Sequence, residues 1–162
     1  MVRRICLAVI LAILPAPAFA ETPLPAFTGA WKGAGTDRNM PLQAFQDTAC
    51  RTRVTADATH FTSDTVCNGV NGLHKRWQLS VTFEGKSFKG EVIQSSSTKG
   101  GEAEVLKGAV SGEREGDNAV FTARFPGLTP SATVALALTS PNSFAMNVRA
   151  LGSTLTDIKF PR

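Results

Sequence analysis

Several residue types on which catalytic and membrane-embedded proteins depend are scarce in this sequence. Its 162 residues include no Tyr, 2 Trp and 2 His. Transmembrane β-barrels carry girdles of aromatic residues at both membrane interfaces, and acid–base catalysis needs titratable side chains that converge. The composition therefore argues against both classes of protein.

Sequence motifs of catalysis are missing as well. The chain has no nucleophile elbow, no phosphate-binding loop and no zinc-ligand spacing. His60 lies in a turn-like stretch, and His74 begins a strand beside Lys75 and Arg76, which are settings typical of solvated residues. We therefore expect a protein that is not an enzyme and that uses neither a metal nor another cofactor.

The N-terminus has the pattern of a cleaved secretory signal. Arg3 and Arg4 precede an apolar run over residues 5–14, and the small-residue triplet Ala-Phe-Ala occupies residues 18–20. This run is shorter than the roughly 20 apolar residues that span a bilayer. We predict a signal peptide over residues 1–20 and a single mature domain over residues 21–162, periplasmic or secreted and without a membrane span.

The positive charge of the chain comes largely from the same segment. The sequence has 17 Lys and Arg against 13 Asp and Glu, and removal of residues 1–20 takes away Arg3 and Arg4 but no acid. No dense basic stripe remains to neutralise phosphates. We therefore expect no binding of nucleic acid. Separately, we expect the protein to be a monomer.

Two cysteines, Cys50 and Cys67, remain in the mature chain. An even number of cysteines in an exported protein indicates a disulfide. Strand-like segments on both sides of a turn at residues 57–60 predict a hairpin that places Cys50 opposite Cys67 and Arg53 opposite Asp64. Opposed Cα atoms are about 4.5–5.5 Å apart, a distance that a disulfide tolerates. We predict a structural disulfide here.

Alternation of apolar and polar residues runs through the rest of the chain. Its longest example covers residues 73–83, where Lys75 shares the apolar phase and is expected to reach water at the strand end. Turn signals recur about every 8–12 residues, and residues 94–101 have the polarity of an exposed loop. The pattern predicts an all-β, antiparallel up-and-down barrel of about eight to ten strands, with a β-sandwich as the alternative.

The first predicted strand opens with Gly29-Ala30-Trp31 and continues with Gly33 and Gly35 on the same face. Same-face glycines beside a Trp indicate that the indole lies across them or that another backbone approaches closely. The triplet resembles the Gly-x-Trp opening of the lipocalin and wider calycin families. The whole run, with its following Cys pair, also resembles small exported β-barrel proteins of Gram-negative bacteria. The lipocalin resemblance implies a cup-shaped antiparallel barrel that binds a small apolar or amphipathic molecule. The second resemblance implies export and the fold but no activity.

Two functions remain open. In the first, the barrel holds a small ligand, although the same side chains would otherwise simply fill its core. The expected ligand-binding wall consists of Trp31, Trp77, Phe88, Phe121, Phe125, Phe144 and Met146. In the second, the protein binds or inhibits another envelope protein through loops at residues 37–45, 68–74 and 94–104, with Leu42 and Phe45 as contacts.

Overall fold

The computed structural model describes residues 24–38, 42–116, 118–127, 131–140 and 142–161. The predicted signal peptide, residues 1–20, and the predicted mature N-terminus at Glu21 lie outside these ranges. Within them, the structure contains no helix with the length and apolar character needed to cross a membrane.

Ten β-strands follow a short 3₁₀ helix, Leu24–Phe27. They are β1 (Gly29–Asp37), β2 (Gln46–Ala56), β3 (His60–Gly69), β4 (His74–Glu84), β5 (Ser87–Ser97), β6 (Glu104–Glu115), β7 (Asn118–Arg124), β8 (Ala132–Ser140), β9 (Ser143–Ala150) and β10 (Ser153–Pro161).

The strands form one closed antiparallel barrel. Each strand pairs with the next along the chain, and β1 also pairs with β10 from Ala34–Lys159 to Asp37–Thr156. The predicted up-and-down barrel is confirmed, and the alternative of a β-sandwich is wrong. Closure gives both terminal strands a partner and so removes the sheet edges on which other chains could add.

The glycines of β1 allow β10 to approach closely. A Cβ atom on Gly35 would lie 1.9 Å from the carbonyl oxygen of Asp157, and one on Gly33 would lie 2.5 Å from the ring of Phe160. Any larger residue would therefore push the two strands apart. The expected close approach of another backbone is confirmed, and the ring that lies against Gly33 is that of Phe160 instead of the Trp31 indole.

The hairpin of β2 and β3 has the predicted register. Cys50 lies opposite Cys67 and is bonded to it, and Arg53 lies opposite Asp64. In the turn, Asp57 Oδ1 accepts hydrogen bonds from the backbone N–H groups of Thr59, at 2.8 Å, and His60, at 2.7 Å. These two bonds lower the pKa of Asp57 below its ordinary value of 3.8. The bond between Cys50 and Cys67 confirms the predicted disulfide.

The two ends of the barrel differ. We call the end with the short β2–β3, β4–β5, β6–β7 and β8–β9 connections the turn end, and the opposite end the loop end. Near the turn end, the ring centre of Phe27 lies 6.1 Å from the ring centres of both Phe61 and Phe144. The ring centres of Phe83 and Phe88 are 4.9 Å apart. Aromatic side chains thus fill the interior at the turn end.

The polar stretch at residues 94–97 belongs to β5 and is not the loop that its composition indicated. Gln94 pairs with Trp77 on one side and with Leu106 on the other. Backbone N–H and C=O groups form the ladder whatever the side chain is. The connection between β5 and β6 therefore covers only residues 98–103.

Candidate functional site

Solvent reaches the barrel interior at one part of the loop end. Trp77, Gln94 and Leu106 lie directly opposite one another on β4, β5 and β6 and are in the inward phase of their strands. All three are only half-buried, although Leu79 and Val92, which lie two residues further towards the turn end on β4 and β5, are buried. We call these three residues the mouth row, since they mark where the interior meets water.

An apolar void adjoins the mouth row. The void has a volume of about 30 Å³, which is room for about two water molecules. Its lining includes Thr52, Thr65, Trp77, Val92, Met146 and Val148. A second void, of about 20 Å³, lies nearer the turn end and shares Phe61, Leu79, Phe121 and Leu136 with the first. A larger ligand would have to displace side chains.

The wall of the first void carries a few polar groups. The hydroxyls of Thr52 and Thr65 are buried and form one hydrogen bond of 2.7 Å. Because two hydroxyls share one bond, one of their protons remains without an acceptor among the described residues. The Trp77 Nε1–H also has no hydrogen-bond partner in the described part of the chain. All three of these side chains belong to the lining of the void.

The seven residues expected to bind a ligand occupy different positions. Four of them line the first void, and Phe88 lines only the second. The four are Trp77, Phe121, Phe144 and Met146. Trp31 is buried, donates a 2.8 Å hydrogen bond from Nε1 to the carbonyl of Phe27 and lies edge-on to Phe144 at 5.0 Å. Phe125 is buried and lines neither void.

Sequence reasoning missed the polar part of the wall. Thr52 and Thr65 are buried in the same phase as Cys50 and Val54 on β2 and Cys67 on β3. The alternation of residues on β2 already places Thr52 in the inward phase, but threonine is equally compatible with an outward-facing position on a strand.

A buried ion pair fills another part of the loop end. Lys75 Nζ lies 2.9 Å from Oδ1 and 2.8 Å from Oδ2 of Asp37, and it donates a further bond of 3.1 Å to the carbonyl of Arg38. The hydroxyl of Thr156 donates to Asp37 Oδ1 at 2.6 Å. Exposure of the two charged side chains is 5% for Lys75 and 3% for Asp37.

The expectation that Lys75 reaches water is therefore wrong. Its side chain follows the inward phase of β4, and the carboxylate of Asp37, on β1, compensates its charge. Nearby on β2, Gln46 Oε1 and Thr48 Oγ1 are buried without a partner among the described residues. The loop end of the interior is thus more polar than the turn end.

Exposed apolar side chains are concentrated at the loop end. Of the six large exposed apolar residues described, only Val120 lies elsewhere, and the other five are Leu42, Phe45, Val70, Val105 and Leu151. Leu42 is fully exposed, and Leu151 has a φ of 53°, which leucine rarely adopts. The guanidinium of Arg38 lies 4.2 Å from the ring centre of Phe45.

No protein-family model and no curated protein matches the sequence. The fold itself defines the class, a closed antiparallel barrel of ten strands that is compatible with a lipocalin-like fold. Among the described residues, no group of three or more His, Cys, Asp and Glu side chains is placed to hold a metal ion.

Proposed function

We propose that this protein is an exported, non-catalytic barrel of the lipocalin type that binds a small apolar or amphipathic molecule inside the barrel. The mouth row carries the proposal. Its residue Trp77 lines the apolar void and yet is half-buried, so it connects the interior with solvent. The disulfide and the signal pattern of residues 1–20 support export to the periplasm or the medium.

The wall of the void indicates which ligand fits. Burial of an apolar ligand contributes about 25 cal/mol for each Å² removed from water. The spare protons at Trp77 Nε1 and at the Thr52–Thr65 pair favour a molecule that also carries a hydrogen-bond acceptor, such as a carbonyl or carboxylate. Since the void has room for only about two water molecules, a ligand of this kind must displace side chains, and flexible Met146 is the one best suited to move.

Fluorescence of Trp77 tests this proposal. The chain has 2 Trp residues, and Trp31 is 2% exposed, so Trp77 is the one placed to respond. Titration with dodecanoic acid should give a saturable change in emission, whereas dodecane, which lacks an acceptor, should bind more weakly. Trp77→Phe should abolish the signal, and native mass spectrometry should show weaker adducts.

Phe125→Leu is the matched control, since Phe125 lines neither void. It should leave dodecanoic acid binding unchanged. The proposal fails if the oxidised, folded protein binds neither probe and if the protein purified from its native host also carries no small-molecule adduct.

The apolar loop end favours a second candidate function, the binding of an apolar surface on another envelope protein. A φ of 53° at Leu151 costs free energy, and its exposed side chain lies at the same end of the barrel as those of Leu42, Phe45, Val70 and Val105. Neither property serves the isolated barrel. Leu151→Asn should keep the turn, because Asn tolerates positive φ, but it should abolish recovery of a cross-linked partner. Trp77→Phe should leave that recovery unchanged, which separates the two functions.

A further inference from the structure

The outer wall of β1, β2 and β3 carries a group of basic side chains. Lys32 on β1 lies directly opposite Arg51 on β2, and Arg53 lies opposite Ala30 on β1 and Asp64 on β3. Like charges at directly opposed strand positions repel each other. The arrangement therefore places uncompensated positive charge on one area of the surface.

These side chains border a groove, which we call the basic groove. It has a volume of about 850 Å³, and its lining includes Ala30, Lys32, Ala49, Arg51 and Arg53. The small alanines leave a depression between the long basic side chains. An outer barrel wall is convex, so a depression of this size depends on that alternation of short and long residues.

Among the described residues that line the groove, the one acid is already engaged. Asp64 accepts hydrogen bonds from Arg76 Nε, at 2.8 Å, and Arg76 Nη2, at 2.6 Å. These bonds lower the pKa of Asp64 and raise that of Arg76. In the described part of the chain, neither Lys32 nor Arg51 has a carboxylate within ion-pair distance. Asp64 also interacts electrostatically with Arg53, which lies directly opposite it, so Lys32 and Arg51 are the groove cations left without a balancing carboxylate.

We propose that the basic groove binds a phosphate-type oxyanion, either free or as a lipid headgroup, through Lys32, Arg51 and Arg53. One arginine fork is enough for a planar carboxylate. Three cations around one depression match a tetrahedral group of higher charge, which the two arginines hold by paired N–H donors and the lysine as a point charge. The groove is on the outer wall, so the proposal is independent of the ligand inside the barrel.

Titration of the ¹⁵N-labelled, oxidised protein with inorganic phosphate, at ionic strength held constant with chloride, tests the site. Amide shifts should saturate and be confined to the strands around residues 30–33, 49–53 and 64–66. The double variant Lys32→Gln/Arg51→Gln should bind phosphate at least about tenfold more weakly, because it loses two charge-assisted contacts. Lys107→Gln, on the outer face of β6, is the matched control and should bind like the wild type.

Vesicles separate the two sources of the oxyanion. Co-sedimentation with phosphatidylcholine vesicles that contain phosphatidic acid, and not with pure phosphatidylcholine vesicles, would assign the site to a lipid headgroup. Saturable binding of phosphate without vesicle binding would assign it to a free oxyanion. The proposal is overturned if phosphate produces no localised shifts and the two kinds of vesicle behave alike, or if the double variant binds as well as the wild type.

Discussion

Removal of either partner of the buried Asp37–Lys75 pair should destabilise the protein strongly. At 2.8 Å, and with an effective dielectric constant of about 20, the attraction between the two charges is about 6 kcal/mol. Transfer of both charges out of water costs several kcal/mol per ion and offsets most of it. Lys75→Met leaves Asp37 buried without its counter-charge, so we expect a loss of about 3–5 kcal/mol.

The double variant Asp37→Leu/Lys75→Met should be far less damaging than either single change. It removes both buried charges together, which is often neutral or stabilising. Against this gain, the Thr156 hydroxyl and the Arg38 carbonyl lose a partner, at a cost of about 1–3 kcal/mol each. We therefore expect the double variant to lie close to the wild type in stability.

Urea unfolding of the oxidised protein at neutral pH, followed by circular dichroism, measures these free energies. Lys107→Met serves as the control, because Lys107 is exposed and its removal should change stability by less than about 0.5 kcal/mol. If Lys75→Met costs no more than this control, or if the double variant loses the sum of both single losses, the ion pair is not the compensated buried unit inferred here.

Three further predictions concern the disulfide and the outer wall. Reduction of the Cys50–Cys67 bond, whose cysteines are 17 residues apart, should lower the free energy of unfolding by about 3 kcal/mol, measured from urea midpoints with and without reductant. Arg51→Gln should raise the free energy of unfolding by about 0.2–1 kcal/mol at low salt in the same assay, because the positively charged Lys32 lies directly opposite Arg51 on β1. Arg76 holds the pKa of Asp64 below 3.8, so this carboxylate stabilises the fold fully above pH 3.8 and progressively less as the pH falls through the lowered pKa. Arg76→Gln should remove that part of the acid sensitivity in urea titrations from neutral to acid pH.

Each of these three predictions has an outcome that contradicts it. An unchanged urea midpoint after reduction would show that the disulfide does not stabilise the fold. A gain from Arg51→Gln that persists in high salt would not be electrostatic, because salt screens exposed charges. Identical acid sensitivity of Arg76→Gln and the wild type would mean that Arg76 does not stabilise the ionised carboxylate of Asp64.

Local patterns were enough to predict the strands and the disulfide hairpin. The spacing of Cys50 and Cys67 around a short turn determines which residues oppose each other, since side chains in an antiparallel pair alternate with a period of two. The same pattern placed Trp77 and Met146 on inward faces. It predicted a barrel because short connections make consecutive strands neighbours.

Contacts between distant parts of the chain were beyond such patterns. Lys75 appeared free to reach water because its counter-ion, Asp37, belongs to a strand 38 residues earlier. Gln94 appeared to be in a loop because its polarity outweighed the backbone pairing that both neighbouring strands offer. In both cases, a partner brought in by the fold changed the environment of a polar residue.

The all-β class, the hairpin register and the phase of most strands follow from the amino-acid sequence, because they depend on alternation and turn chemistry within about ten residues. The pairing of β1 with β10, the small free volume of the interior, and the groove bordered by Lys32, Arg51 and Arg53 became visible in the folded barrel. Closure brings together residues from opposite ends of the chain. Volume and charge at a point in space then depend on all the strands that meet there.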